Sequence, residues 1–240
     1  MNEIGAKEEN MKGISRLVGI FISPKETFES INKSPDWLVP FIIVCVLGIA
    51  MNLLIMDIAI ADRMAYTRTL DLTPEQLQAM EAQAQGGWKY AGLIAIPLFL
   101  LIGYLVVAGI LAFCGSVVLG GETRYKKVLS VVAWASLIPA LGNVIKSLMI
   151  LARGTSHGVA TSLAVLLPAP AWGETPSILY RFLSRLDIFS IWQLVLWVFG
   201  LSAVYHFSIR KSTGLVLTLW GIWVAAAVAL GGTLSRLGMM

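Results

Sequence analysis

The stretch GGETRYKKVLSVVAWASLIPALGNVIKSLMIL, residues 120–151, joins a short basic turn to a long apolar segment. About 20 helical residues cross a hydrocarbon core of about 30 Å, so the segment is long enough to span a bilayer. Its Leu, Ile and Val residues favour insertion by about 5 kcal/mol in sum, whereas a lysine such as Lys146 costs about 3 kcal/mol. We therefore predict a membrane helix that begins directly after a basic turn.

The composition of the whole chain indicates the same environment. Of its 240 residues, 57% are hydrophobic and 13% are charged, whereas about 25% of the residues of a soluble domain are charged. We predict an all-α membrane protein, a bundle of five transmembrane helices preceded by an amphipathic N-terminal interfacial helical segment. The expected spans are about 38–60, 91–119, 128–151, 188–209 and 215–234. They form a membrane domain over residues 37–240.

Charge and cysteine content exclude several kinds of partner. The net charge of +4 is too small and too dispersed for a nucleic-acid footprint, so we expect no nucleic-acid partner. It is compatible with an anionic membrane surface, which makes membrane lipids the expected partners. Cys45 and Cys114 lie in apolar runs without a ligand set at metal-site spacing. We expect no metal, no cofactor and no disulfide framework.

Residues 1–36 differ from the rest of the chain. Met1 to Asn10 is polar and predicts a mobile tail, and residues 11–32 are amphipathic. The Ser23-Pro24-x-Glu26 sequence is a helix-start signal. The segment is too short to span, so we expect it to lie in the interface with its apolar face in lipid. A helix pair packed on the membrane domain remains the alternative.

Two longer connections separate the spans. Residues 61–88 predict an extramembrane loop with a short helix that starts at Thr73-Pro74. Residues 152–187 form the longest loop, which either dips into the interface or covers the bundle, and 177–186 predict a short amphipathic helix. Small residues at four-residue spacing predict close helix contacts. They are Ala108, Ala112, Ser116 and Gly120 in the second span and Gly221, Ala225 and Ala229 in the fifth.

The basic residues of the two short turns predict the orientation. One turn contains Arg124, Lys126 and Lys127, and the other contains Arg210 and Lys211. Cytoplasmic loops carry an excess of Lys and Arg, so both turns are expected in the cytoplasm. With five spans, this places the N-terminus in the cytoplasm and the C-terminus outside.

Three stretches together resemble the Yip family, multi-spanning membrane proteins named for interaction with Ypt/Rab GTPases, and in particular its prokaryotic branch. They are FISPKETFESI followed by PDWLVP (21–31 and 35–40), GETRYKKVLSVVAWASLIP (121–139) and LDIFSIWQLVLWVFG (186–200). The resemblance implies five transmembrane helices, a cytosolic N-terminus and location in the prokaryotic cytoplasmic (inner) membrane. The arm before the first span is shorter than in eukaryotic members, so GTPase binding is not carried over.

Four polar residues within the spans form a candidate site, which we call the polar seam: Asn52, Asp57, Asn143 and Lys146. Asp57 and Lys146 each lie about 20 positions after the start of their helix, which places both about 30 Å along spans that run in the same direction. An ion pair between them is one hypothesis. Ionisable residues within spans often mark a pathway, but near helix ends both side chains can also reach the headgroups.

The remaining motifs do not indicate an enzyme. Pro139 with Gly142 predicts a bend in the third span, either a hinge or a static kink. Ser202 and His206 lack the sequence context of a hydrolase, because neither Gly-x-Ser-x-Gly nor His-Glu-x-x-His is present. The Gly120-Gly121 pair predicts a turn. We expect no catalytic residues.

The expected function is that of a non-enzymatic integral membrane protein that organises lipid or partner proteins, either as a homo-oligomer or with other membrane proteins. The alternative is a small transporter or channel component whose pathway is formed by Asp57, Asn143 and Lys146. A hydrated cavity that reaches these residues would favour transport, and a solid bundle would favour the organising function.

Overall fold

The computed structural model describes residues 13–70 and 72–236, so the predicted tail Met1–Asn10 lies outside the described residues. Within these ranges the chain is all-α, without a β-strand. The helices are α1 Ile14–Ile22, α2 Pro24–Lys33, α3 Leu38–Thr67, α4 Pro74–Gln85, α5 Ala91–Phe113, α6 Tyr125–Ala135, α7 Leu137–Arg153, α8 Ile178–Leu183, α9 Ile188–Tyr205 and α10 Ile209–Arg236. A π-helical turn, Cys114–Val118, extends α5, and short 3-10 turns cover Gly87–Tyr90 and Leu163–Leu166.

Five segments are long and apolar enough to cross a membrane, as predicted. They are Leu38–Thr67, Gly92–Val118, Tyr125–Arg153, Ile188–Tyr205 and Ile209–Gly231. The predicted fold class, an all-α bundle of five membrane helices, is thereby confirmed.

Helix α6 is the centre of the bundle. All of its residues from Val128 to Ala135 are buried, and it packs against α2, α3, α5 and α9. Small residues on its surface and on its neighbours let the helices approach closely. Gly200 of α9, for example, sits directly against the side chain of Val131. Helices of membrane proteins associate through this kind of close packing, because lipid is as apolar as the side chains themselves.

The third predicted span is divided at Ser136 into α6 and α7. Pro139 lies one turn after the break. A proline ring clashes with the carbonyl four residues earlier, here that of Ala135, which is the last residue of α6. The side chain of Ser136 forms hydrogen bonds at the break. Its Oγ donates to Ala133 O at 2.6 Å and contacts Tyr104 Oη. Gly142 has a packing role, because a Cβ there would meet the ring of Phe189 at 2.6 Å.

Three span boundaries differ from the prediction. Helix α3 continues to Thr67 instead of ending near residue 60, and its 30 residues are about 45 Å long, which exceeds the hydrocarbon core of about 30 Å. Helix α9 ends at Tyr205, because His206 adopts a left-handed conformation with φ 56°. Helix α10 begins at Ile209 and not near residue 215, so Arg210 and Lys211 lie in its first turn and not in the connecting turn.

The two basic turns lie together at one end of the bundle, which we call the basic end (residues 119–127 and 206–211). Lys211 Nζ donates to Leu119 O at 2.9 Å and lies 4.1 Å from the ring centroid of Phe207. The ring of Tyr205 packs on Gly115, where a Cβ would lie 2.6 Å from its Cζ. Tyr205 Oη also donates to Ala112 O at 3.3 Å and lies 3.2 Å from Ser116 Oγ, so two residues of the predicted small face of the second span contact α9.

The N-terminal helix pair packs on the basic end. Phe28 and Ile31 of α2 are fully buried, and α2 contacts α9 and α6. Asn32 links three elements, because its Nδ2 donates to Ala203 O at 2.8 Å and its Oδ1 accepts from Lys127 Nζ at 2.6 Å. Helix α2 therefore packs on the membrane helices. This is the arrangement that the sequence analysis named as the alternative to an interfacial segment.

Helix α1 is attached to α2 by a buried arginine and has an apolar outer face. Arg16 Nη1 donates to Ser34 O and Nη2 to Ser30 O, both at 3.0 Å, so the guanidinium binds the last carbonyls of α2. Burial lowers the pKa of Arg16, and the charge of Asp36 raises it in part. Three apolar side chains remain exposed on the other face of α1, namely those of Ile14, Val18 and Ile22. This face is suited to contact lipid at the interface.

Candidate functional site

The polar seam lies on the surface of the bundle. Helices α3 and α7, which carry its residues, pack against each other. The side chains of Asn52, Asp57, Asn143 and Lys146 are all exposed. Within the described part of the chain, none of the four takes part in a hydrogen bond or an ion pair. The structure therefore does not pair Asp57 with Lys146.

The turn residues of the basic end also point outward. Arg124, Lys126, Arg210 and Lys211 are exposed, whereas Lys127 is half-buried by its hydrogen bond to Asn32. Exposed cations at one end of a membrane bundle are suited to contact anionic lipid headgroups.

A different acidic residue of α3, Asp62, organises the opposite end of the bundle. Its Oδ1 accepts from Thr155 Oγ1 at 2.9 Å, and its Oδ2 accepts from both the backbone N and Oγ of Ser156 at 2.5 Å. Gly154 ends α7 with φ 68°, and glycine adopts this left-handed conformation without strain. Asp62 therefore fixes the chain where it leaves α7.

The loop that Asp62 anchors carries an aromatic cluster. His157 Nε2 is 2.8 Å from Pro170 O, and the ring centroids of His157 and Trp172 are 4.5 Å apart. Tyr66, from the part of α3 that extends past the predicted span, lies 6.4 Å from Trp172. We call the end built by Asp62 and residues 154–187 the loop end. Through Asp62 of α3, and through α8, which packs against α10, this end contacts two helices of the bundle.

Replacing Asp62 with asparagine is expected to lower the free energy of unfolding by about 1–3 kcal/mol, because hydrogen bonds to a charged group are worth about this much. The asparagine can accept through one atom only, so at least one donor from Thr155 or Ser156 loses its partner. Thermal unfolding in detergent and the rate of tryptic cleavage at Arg153 measure the effect. Asp57→Asn on the same helix is the control and should change neither, since Asp57 has no partner. Equal behaviour of the two variants would contradict the anchoring role.

A cavity of about 430 Å³ opens beside the aromatic cluster. Its walls include aromatic rings, two arginines and the far end of α10. The lining includes Tyr66, His157, Trp172, Glu174, Arg181, Arg185, Ala227 and Gly231.

The two arginines have donors without acceptors. Nε and Nη1 of Arg181 and Nε of Arg185 are buried and make no hydrogen bond. Neither arginine forms an ion pair within the described ranges, and the guanidinium carbon of Arg185 lies 5.1 Å from the ring centroid of Trp223. The carboxylate at this cavity, that of Glu174, accepts from the backbone N of Ala171 at 3.0 Å. Two arginines without a carboxylate partner therefore line the cavity, and their positive charge is suited to an anion.

Asp62, Ser156 and His157 are the residue types of a hydrolase triad, but their arrangement differs. In a triad the histidine lies between the nucleophile and the acid. Here Ser156 Oγ donates directly to Asp62, and His157 Nε2 contacts the carbonyl of Pro170. These hydrogen bonds fix the loop and leave the serine hydroxyl without a histidine base.

Sequence reasoning missed this loop-end site. Its residues come from α3, the long loop, α8 and α10, and no motif connects them. One signal was present, since Arg181 and Arg185 are four positions apart within the predicted amphipathic helix 177–186. Two charged residues at this spacing lie on one face of a helix.

Comparison with known proteins agrees with this architecture. A family model of the Yip1 domain matches residues 18–231. The chain is 28% identical over 219 residues to the membrane protein YknW of Bacillus subtilis (strain 168), and the alignment covers 90% of this chain and 89% of that protein. No solved structure matches the chain. The resemblance of the three sequence stretches is confirmed, and this multi-pass membrane protein belongs to the Yip1 domain family.

Proposed function

We propose that this protein is a non-enzymatic integral membrane protein that organises partner proteins or lipid within the bilayer. The observation that carries the proposal is the exposure of the polar seam on the α3–α7 surface. Polar groups that face hydrocarbon without a partner are costly. A partner helix with polar side chains would satisfy these groups, so the seam is suited to contact a second membrane protein.

The positions of the seam residues support this function over transport. A transport pathway requires the polar side chains to line an aqueous path. Three cavities or grooves of about 430, 660 and 600 Å³ lie elsewhere on the bundle, and none of these three is lined by a seam residue. The 660 Å³ groove, between α5, α6 and α9, has an almost entirely apolar lining.

Photocrosslinking in living cells tests the proposed partner contact. A photoreactive amino acid replaces Asn143, which belongs to the seam, or Leu148, which is exposed on the same helix away from it. We expect a discrete protein adduct from position 143 that position 148 does not give. Coexpression of a second, differently tagged copy shows whether the partner is the same chain.

Two outcomes would contradict the proposal. Lipid adducts alone at both positions would mean that the seam faces the bilayer. A solute or proton flux in reconstituted vesicles that Lys146→Met abolishes would favour the transport function instead.

We also propose that the basic end faces the cytoplasm and the loop end faces outward, in a prokaryotic cytoplasmic membrane. The exposed Arg124, Lys126, Arg210 and Lys211 support this orientation through the bias of cytoplasmic turns toward basic residues. Glu122 and Thr175 are exposed at opposite ends of the bundle. From outside intact cells, a membrane-impermeant thiol reagent should label Thr175→Cys and not Glu122→Cys, and the reverse would overturn the orientation.

A further inference from the structure

The cavity at the loop end continues into an apolar groove, and Arg181 lines both. The groove, of about 600 Å³, runs between α8 and α10. Its floor is the small-residue face of α10, formed by Gly221, Ala225 and Ala229, and Phe182 of α8 contributes to its wall. Arg181 therefore lies where the cavity meets the apolar groove.

The groove has the length of one leaflet. It extends along α10 from Trp220 to Ala229, which at 1.5 Å per residue is about 14 Å. This is about half of a hydrocarbon core of about 30 Å. Trp220 lies near the middle of the span Ile209–Gly231, and the cavity lies at its end, beside Ala227 and Gly231. The groove thus leads from the interface toward the bilayer centre.

The two arginines that line the cavity match a phosphate group. Nε and Nη1 of Arg181 and Nε of Arg185 are buried, and none of the three atoms has an acceptor within the described chain. Guanidinium groups bind phosphate oxygens by charge-assisted hydrogen bonds, and a buried donor without an acceptor is costly. The Glu174 carboxylate at the same cavity is exposed and already accepts from Ala171 N, so it does not occupy these donors.

We propose that the loop end binds one glycerophospholipid, with its phosphate at Arg181 and Arg185 and an acyl chain in the α8–α10 groove. The shared position of Arg181 favours a lipid over free phosphate, because a free phosphate ion would use the cavity and leave the adjoining apolar groove exposed. Exposed apolar side chains on α8, those of Ile178, Leu179 and Phe182, place this helix at the level of the interface. The site is separate from the polar seam, so either proposal can fail alone.

Native mass spectrometry of the purified protein in detergent micelles tests the site. The ligands are phosphatidylglycerol, diacylglycerol, which lacks the phosphate, and inorganic phosphate, which lacks the acyl chains. We expect one molecule of phosphatidylglycerol to bind and neither of the other two to compete at equal concentration. The double variant Arg181→Gln with Arg185→Gln should bind at least about tenfold more weakly, as expected for the loss of charge-assisted hydrogen bonds.

Two further variants keep the test independent of folding. Arg63→Gln with Arg68→Gln removes two exposed arginines at the end of α3 that do not line the cavity and should leave the affinity unchanged. Ala225→Leu fills the groove from an exposed position and should weaken binding while both arginines remain. Undiminished binding by Ala225→Leu, or by Arg181→Gln with Arg185→Gln, would overturn the proposal. Equal binding of diacylglycerol, or displacement of the lipid by inorganic phosphate, would do so as well.

Discussion

Replacing Trp134 with alanine is expected to lower the free energy of unfolding by about 3–5 kcal/mol, the range typical of a buried aromatic side chain. Trp134 is 1% exposed at the centre of α6. Its Nε1 donates to Asp36 O at 2.6 Å, in the linker that joins α2 to α3. The alanine variant therefore loses core packing and also leaves a carbonyl of this linker without its donor. Unfolding by denaturing detergent, followed by the loss of helical circular dichroism, measures the change.

Two companion variants separate these contributions. Trp134→Phe keeps one aromatic ring but removes the N–H donor and part of the buried volume, so it should fall between wild type and Trp134→Ala. Phe113→Ala removes an aromatic side chain that is 59% exposed on the lipid-facing surface and should change stability by much less. If Trp134→Ala were no more destabilising than Phe113→Ala, α6 would not be the centre of the bundle.

Replacing Gly200 with alanine is expected to destabilise the bundle by about 1–3 kcal/mol, the usual cost of overpacking a tight core. A Cβ at this position would overlap the side chain of Val131, with Cγ2 at 2.9 Å and Cβ at 3.1 Å. The added methyl group must therefore push α9 away from α6. The same unfolding assay measures the effect, and alanine at the exposed Gly214 of α10, where nothing lies within 4 Å, is the control.

Truncation of the facing residue distinguishes overpacking from a general effect of glycine loss. In the Gly200→Ala background, Val131→Ala makes room for the new methyl group and should restore part of the lost stability. Residues in contact show interaction energies of about 0.5–3 kcal/mol in such cycles. Additive effects of the two changes would mean that α6 and α9 do not meet at these positions.

Much of the fold could be predicted because the bilayer limits the choices. Apolar runs of spanning length gave the number of membrane helices, and all five are present. Local signals gave several helix starts. Thr73 forms a capping box with Gln76, and Ser177 caps α8. The signal at Ser23 marked the start of α2 correctly, although its side chain makes no capping hydrogen bond.

The ends of two helices were less predictable, because hydropathy reports where the bilayer ends and not where the helix does. Asp62 and Arg63 end the apolar run, but α3 continues through them outside the hydrocarbon. His206 ends α9 in a conformation that few residues other than glycine adopt, and nothing in the local sequence indicates it.

The loop-end site was not predictable from spacing, because contacts distant in sequence define it. Asp62 and Ser156 are 94 positions apart, and their hydrogen bonds appear only once α3 and α7 have packed together. The polar seam shows the opposite case. Similar depth suggested an ion pair between Asp57 and Lys146, but depth along a helix does not fix which way a side chain points.

The hydrogen bond from Asn32 to Ala203 O joins residues 171 positions apart, and it has a consequence for biosynthesis. The N-terminal helix pair is translated before α9, which provides most of its docking surface. Until α9 has been synthesised, Phe28 and Ile31 cannot pack against it. These two side chains must therefore contact lipid or another protein in the meantime. Helices α1 and α2 therefore reach their final position late, after α9 has inserted into the membrane.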